Sequence, residues 1–280
     1  MRITSVHNPR VADVCALRQH RARRETGLFL AEGVREVSRA AVAGLRFVET
    51  WRCSELLRGG GEGEGSLPRD PGVVYDAAPA VFRKMAYRDD PEGVLAVVEQ
   101  PRWALGEGGI VREAHAFNAW ASSGVAPLYL VGVGLEKPGN LGAMARTAAA
   151  AGVAGLLVVD AVVDAFNPNA IRASTGAVFA LPVVGCTSDE ALRWLRLQGA
   201  VVLAAVLDGS VPHDAADYGR GRAAAIVIGA EDTGLGEPWL SGADQRVRIA
   251  MSPRAADVVD SLNAAAAAAV LLFEAVRRRA

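Results

Sequence analysis

Four apolar runs in the second half of the chain, at 128–133, 155–159, 201–206 and 225–228, are separated by stretches long enough for helices. Strands without polar alternation must be covered on both faces, and covered strands joined through helices lie mostly parallel. The pattern therefore predicts an α/β fold. Helices are expected over 140–151, closed by Gly152, over 188–198, and from 169 to 175. One more strand is expected over 245–251, followed by a loop and by Asp260-Ser261-Leu262-Asn263, which opens an alanine-rich helix. Asp260 or Ser261 is expected to cap that helix, leaving Asn263 in its first turn with an amide that must bond something else. Arg277, Arg278 and Arg279 suit the negative end of its dipole. In open sheets, ligands bind where strands deliver their carboxyl ends. The loops after 228 and after 251 are therefore expected to wall a pocket.

Ahead of this lies a weaker α/β pattern over 1–100. A helix with an arginine-rich face is expected over 4–24, closed by Thr26-Gly27, then a short strand over 27–33 and a helix over 34–43 ending at Gly44. Strands are expected over 47–51, 72–75 and 93–98. The Gly/Glu run at 59–65 has low complexity and reads as a mobile loop. Over 101–126 the periodicity fades, with at most a helical turn or two at 111–120, so this stretch is taken as a linker and 127–280 as the second domain.

The net charge of −1 conceals an uneven distribution. Residues 1–24 carry Arg2, Arg10, Arg18, Arg21, Arg23 and Arg24 against Asp13 alone. Such clustering is the electrostatic footprint of a phosphate-rich partner, although a GC-rich genome also enriches arginine. Cys15, Cys53 and Cys186 are scattered and odd in number, which excludes a disulfide framework and argues against structural zinc; no metal is expected. No apolar run has the length of a membrane span, and the opening residues lack the apolar core of a secretory signal, so no membrane partner and a cytoplasmic location are expected.

The glycine-rich stretch from Gly132 to Asn140 invites two nucleotide readings, and both fit poorly. The third glycine of a dinucleotide fingerprint falls on Lys137, next to Pro138, leaving Asp160 at the end of the next strand as the remaining argument for a nicotinamide-dependent oxidoreductase. Asn140-Leu141 stands where a phosphate-binding loop requires Lys followed by Ser or Thr. The loop does support a helix capped by Asn140, with Arg146 two turns in and leaning back toward the loop. A solvated surface arginine is the alternative. Glu231, in a turn after a buried strand, is either solvated or fixed at a pocket mouth.

Together these pieces resemble the SpoU (TrmH-like) RNA ribose methyltransferases of the SPOUT superfamily. Asn140-Leu141-Gly142-Ala143-Met144-Ala145-Arg146-Thr147-Ala148 resembles the first motif of that family, and Ile228-Gly229-Ala230-Glu231-Asp232-Thr233-Gly234-Leu235 the second. Ile249-Ala250-Met251 with Ser261-Leu262-Asn263 resembles the third, and Arg172-Ala173-Ser174-Thr175-Gly176-Ala177 a further shared stretch. Asn8-Pro9-Arg10, with the segment from Phe29 to Arg35, is similar to the substrate-binding domain often fused ahead of it. Ala250 stands where the family has proline, and the loop 252–259 is longer than usual and lacks its glycine.

The resemblance implies a carboxy-terminal, mostly parallel sheet with helices on both faces, tied into a deep trefoil knot. A smaller ribosomal-protein-like α/β RNA-binding domain precedes it. The implied cofactor is S-adenosylmethionine, held at Gly229, Ile249 and Leu262, with Val206, Leu207 and Met251 as neighbours. Asn140, Arg146, Glu231, Ser261 and Asn263 are the implied catalytic set, and relatives are homodimers. RNA contacts are expected at Arg10, Arg21, Arg24 and Arg35, with Arg172 beside the active site. The implied activity is methylation of a ribose 2′-hydroxyl in structured RNA. Ribosomal RNA is the first expectation, given the two-domain layout, and the composition permits a role in antibiotic resistance without indicating it; transfer RNA and a non-catalytic RNA-binding role are the alternatives.

Overall fold

The structure is a computed structural model that describes residues 2–57, 68–112, 126–207, 210–252, 254, 259 and 261–280. The Gly/Glu run at 59–65, the turns expected over 113–120, most of the loop 252–259 and Asp260 lie outside those residues. The chain divides into two compact units, one of residues 1–101 with 164–180, the other of 102–163 with 181–280.

The first unit holds a five-stranded sheet of order β1-β4-β3-β5-β2: β1 (Arg2–Ile3), β2 (Leu28–Glu32), β3 (Phe47–Arg52), β4 (Val73–Ala77) and β5 (Val94–Glu99). Strands β1, β4 and β3 run parallel, and β5 is antiparallel to both β3 and β2. Its helices are α1 (Pro9–Ala16), α2 (His20–Thr26), α3 (Val34–Val42) and α4 (Pro79–Met85). Where one helix was expected over 4–24 there are two. Asn8 caps α1 by accepting from the Arg10 N–H, and Gln19, in extended conformation, breaks the run before α2 ends at left-handed Gly27. Val11, Val14, Trp51, Tyr75, Phe82 and Leu95 are among the residues of the core.

The amino-terminal positive charge is mostly spent inside this unit. Arg2 pairs with Glu55, Arg10 with Glu49 and Arg21 with Glu25, while Arg18 donates to the Lys84 and Ala86 carbonyls. Arg23 is 1% exposed and meets Asp164, Nη2 to Oδ2 2.6 Å and Nε to Oδ1 3.3 Å, with Nη1 donating to the Leu17 and Arg18 carbonyls. Asp164 belongs to the segment 164–180, which carries Phe166 and Phe179 to within 4.8 and 5.3 Å of the Phe29 ring. Continuity along the chain assigned this segment to the second domain. Its apolar residues would suit any core, so nothing local marks the return.

The second unit opens with a hairpin, β6 (Trp103–Gly106) and β7 (Gly109–Arg112), inside the stretch read as a linker. Ile110 occupies the space above Gly155, where a Cβ would stand 2.2 Å from its Cδ1, and the Trp194 indole N–H donates to the Gly106 carbonyl at 2.7 Å. Neither Trp103–Gly106 nor Gly109–Arg112 alternates apolar with polar residues, so the sequence reads here as a linker.

There follow β8 (Leu128–Val133), α5 (Pro138–Ala150), β9 (Gly155–Val159), α6 (Pro168–Ser174, within the first unit), β10 (Val183–Cys186), α7 (Ser188–Leu197), β11 (Val201–Ala205), β12 (Val211–Pro212), β13 (Ala224–Ile228), α8 (Glu237–Gly242), β14 (Gln245–Arg248) and α9 (Ala264–Arg279). Seven strands lie in the order β10-β9-β8-β13-β11-β14-β12, every neighbouring pair parallel. Tyr129, Val131, Leu157, Val202 and Val227 share one core with Leu192, Trp194 and Leu195 of α7 and Trp239 of α8. Their alternates, among them Leu130, Leu156 and Ile226, point to the opposite face. There α5 and α9 pack against each other and reach β9 and β13. The strand expected to reach Met251 stops at Arg248, because its neighbours are β11, ending at Ala205, and the two-residue β12.

The terminal arginines are more than dipole partners. Arg277 and Arg278 hold Glu274, and their hydrogen bonds push its carboxyl down to about 2. Arg279 turns back, donating Nη1 to the carbonyls of Tyr218, Gly219 and Arg222, and Nη2 to those of Ala126 and Pro127. Arg279→Ala removes five donations at once and should cost about 2 kcal/mol. A urea midpoint equal to that of the parent would mean that water satisfies those carbonyls equally well.

Candidate active site

Strands β11, β13 and β14 end side by side, and the chain after each of them, with the segment leading into α9, walls a cavity of about 470 Å³. Val206 and Leu207 contribute from the first, Gly229 and Glu231 from the second, Ile249 and Met251 from the third, and Ser261 and Leu262 from the last. All six residues expected around a cofactor are therefore brought to one place. Gly229 is required there by space: a Cβ would lie 2.4 Å from the carbonyl of Gly234, so the turn closes tightly on itself. The lining is largely aliphatic, with Glu231 and Arg246 as its ionisable members among the described residues.

Glu231, on one wall of the cavity, belongs to a closed network of three polar side chains from distant parts of the sequence. Asn140 Nδ2 donates to Glu231 Oε1 at 3.0 Å, and Asn263 Nδ2 donates to Asn140 Oδ1 at 3.0 Å and also to Glu231 Oε1. Lys137 Nζ donates to the other oxygen of Glu231. Two expectations are corrected here. Asn140 does not cap α5: Pro138 starts that helix with Lys137 before it, so Asn140 lies inside the first turn and its amide is free to reach Glu231. Asn263 itself caps α9, its Oδ1 accepting from the N–H groups of Ala265 and Ala266. One side chain therefore starts the helix with its oxygen and fastens the network with its nitrogen.

The hydrogen bonds from Lys137, then Asn140, hold the Glu231 carboxyl below its ordinary 4.5, and Glu231 in turn raises Lys137. The sign follows directly. Glu231 is ionised and the network intact above the ordinary carboxylate value, and the contribution is lost as pH falls through the lowered one. Lys137→Met should move the Glu231 titration upward, so that the acid limb of any pH–rate profile shifts to higher pH. A limb that stays in place would remove Lys137 from the network's electrostatics. Lys137 had figured in the sequence only as the residue that spoils a glycine fingerprint; nothing linear connects it with position 231.

Arg146 is not part of this network. It is exposed on α5 and makes no hydrogen bond or ion pair among the described residues, while Asn140 and Glu231, of the same implied catalytic set, bond to each other and to Asn263. Ser261 lines the cavity. The five arginines expected to meet RNA, Arg172 among them, all lie in the first unit. Arg10 and Arg21 are paired as described and Arg35 pairs with Glu36, whereas Arg24 is exposed without a partner among the described residues. No group of three His, Cys, Asp or Glu side chains among the described residues is arranged to hold a metal, and no described helix is long and apolar enough to cross a membrane.

Comparison with known proteins agrees with this geometry. Residues 127–273 match the SpoU rRNA Methylase family, and residues 8–96 match the MRM3-like substrate binding domain. A 23S rRNA (uridine(2479)-2′-O)-methyltransferase from Streptomyces viridochromogenes is 32% identical over 292 residues, covering 99% of this chain and 92% of its own length. The 23S rRNA (guanosine(2553)-2′-O)-methyltransferase of Bacillus subtilis is 26% identical, covering 97% of both chains. The crystal structure of an AdoMet-bound rRNA methyltransferase from Sinorhizobium meliloti superposes with a TM-score of 0.81 at 31% identity, over 99% of this chain and 97% of that one. With matched motifs, matched length and the same fold, the chain belongs to the SpoU rRNA methylase family and carries an MRM3-like substrate binding domain at its amino end.

Proposed function

We propose that this protein transfers the methyl group of S-adenosylmethionine to a ribose 2′-hydroxyl of structured RNA, ribosomal RNA before transfer RNA, in a reducing cytoplasm. The reading is carried by the 470 Å³ cavity and by Glu231 on its wall, which Asn140 and Asn263 hold in place. The residues suit the cofactor. Aliphatic walls from Val206, Leu207, Ile249 and Leu262 match an adenine ring, the backbone of Gly229 lies in the lining, and Glu231 supplies negative charge for a cationic ligand. Bound there, the sulfonium supplies an electrophilic methyl group, so the protein need only position the acceptor and handle its proton.

The chain's own residues divide that task. Asn140, Asn263 and Lys137 hold Glu231 in one ionised orientation, and Glu231 with Ser261 forms the polar wall against which the ribose is placed. Arg146 contacts the hydroxyl or its phosphate and stabilises the developing alkoxide; as a permanent cation it does not act as the base. The acceptor site is built across a homodimer, which accounts for an Arg146 without partners among the described residues. Support for the dimer comes from α9, where Val270, Phe273 and Val276 recur every third residue and are exposed, Phe273 by 51%. The carboxy-terminal segment is read as passing through a loop to form a deep trefoil knot, a reading supported by separate stretches near 206, 229, 249 and 262 walling a single cavity. The first unit binds the RNA, with Arg24, exposed and without a partner among the described residues, as a phosphate contact, and its affinity should fall as salt rises.

The deciding experiment incubates the protein and methyl-labelled S-adenosylmethionine with ribosomal RNA and, separately, transfer RNA, then maps ribose methylation. Label in ribosomal RNA is the expected result. Label only in transfer RNA would change the substrate, and binding of RNA with no label in either would make the protein a non-catalytic member of the fold.

A further inference from the structure

The first unit carries an aromatic group that the reaction described above does not use. Tyr87 follows α4, and Asn169 and Arg172 lie three residues apart on α6. Asn169 Nδ2 donates to the Tyr87 hydroxyl at 2.8 Å, Arg172 Nη2 donates to Asn169 Oδ1 at 2.9 Å, and the guanidinium carbon stands 5.9 Å from the centre of the Tyr87 ring. The backbone beneath the ring is fixed as well. Buried Glu32 accepts the N–H of Tyr87 at 2.6 Å and of Arg88 at 3.2 Å. Tyr87 is thus held at its backbone and at its hydroxyl, yet remains 39% exposed, and Arg172 is exposed beside it.

A ring clamped in this way loses little conformational freedom when something stacks on it. Both its π face and a guanidinium plane are surfaces on which unpaired nucleobases stack. The hollow beside Tyr87 and Arg172 is also lined by Glu32, Glu36 and Arg88, and these are already engaged: Glu32 accepts the N–H groups of Tyr87 and Arg88, and Glu36 meets the guanidinium groups of Arg35 and Arg88. Arg172 also differs from the arginine that serves this unit's packing: Arg23 is buried against a carboxylate, whereas the hydrogen-bond acceptor of Arg172 is a neutral amide.

We propose that Tyr87 and Arg172 form a stacking platform for an unpaired nucleobase of the RNA substrate, with Asn169 holding the two in register. This rests on the reading of the protein as an RNA methyltransferase and adds to it the feature of the RNA that the first unit recognises: a base out of its helix, not the duplex backbone alone.

The test measures binding of the full-length protein to a fluorescently labelled oligoadenylate single strand and to a blunt RNA duplex of equal length. Tyr87→Leu should weaken the single strand by about tenfold and leave the duplex within about twofold. Tyr87→Phe, which keeps the ring, should restore most of the single-strand affinity. The salt dependence of single-strand binding should be the same for Tyr87→Leu and Arg172→Gln as for the parent; a slope lowered by about 0.7 in Arg172→Gln would make that residue a phosphate contact and overturn the platform. Equal losses for Leu and Phe, equal losses on single strand and duplex, or unchanged affinity for Tyr87→Leu would overturn it too, while leaving the methyltransferase reading intact. A parent protein that binds neither RNA would overturn both.

Discussion

Arg146→Ala should lower the methyl-transfer rate by about a thousandfold while leaving cofactor affinity within about twofold. The expectation of a large kinetic effect without a structural one comes from where the side chain lies. Arg146 is exposed on α5 and bonds to nothing among the described residues, and it does not line the 470 Å³ cavity. Substitutions at such positions usually change stability by less than about 0.5 kcal/mol, so lost activity could not be attributed to unfolding. A cation kept free of internal partners is available to a negative charge that arises only during reaction. Single-turnover transfer from labelled S-adenosylmethionine, alongside calorimetric titration of the cofactor, separates the two quantities. A variant with the parent's rate would end the assignment. If cofactor affinity fell in proportion to the rate, Arg146 would be a binding residue and its place in the mechanism would be wrong.

Asp164→Ala should produce the largest loss of stability, about 3 kcal/mol in the first unit. Arg23 is buried and cannot shed its proton, so removing its carboxylate leaves an uncompensated charge among apolar neighbours. The two carbonyls it also reaches, of Leu17 and Arg18, neutralise it only in part. Breaking a fully buried pair costs about 3–5 kcal/mol, and the lower end applies because Asp164 itself is partly exposed. The companion variant Arg23→Met with Asp164→Ala replaces the pair by apolar groups and should recover much of the loss. Chemical denaturation of both variants distinguishes an electrostatic penalty from a packing one: a double variant no better than Asp164→Ala would show that the contact matters for shape and not for charge.

The sheet of the second unit was legible because its strands are covered on both faces and so read as unbroken apolar runs. Leu128–Val133 and Gly155–Val159 were located to the residue. Some short elements were not. The hairpin of β6 and β7 and the strand β10 have four residues each and show no apolar–polar alternation, so nothing in them separates strand from loop. At the candidate site the residues around the cavity were identified through family motifs, while their internal bonding was misread. Asparagine at a helix start is ordinarily a cap, so Asn140 was given that role and Asn263 was not; the structure reverses the two, because Pro138 already begins α5. The arginines of the first 24 residues were read as a free basic face, since the carboxylates that meet Arg2, Arg10 and Arg23 lie up to 141 positions away.

The return of residues 164–180 to the first unit has a practical corollary for anyone wishing to retarget such an enzyme. Recognition modules that sit at one end of a chain are commonly exchanged by a single cut and splice. Here a graft taken only up to position 101 would bring Phe29 and Arg23 without Phe166, Phe179 or Asp164, the side chains they require. A working chimera must carry two inserts from the same donor, so the specificity of this scaffold is inherited in matched pieces or not at all.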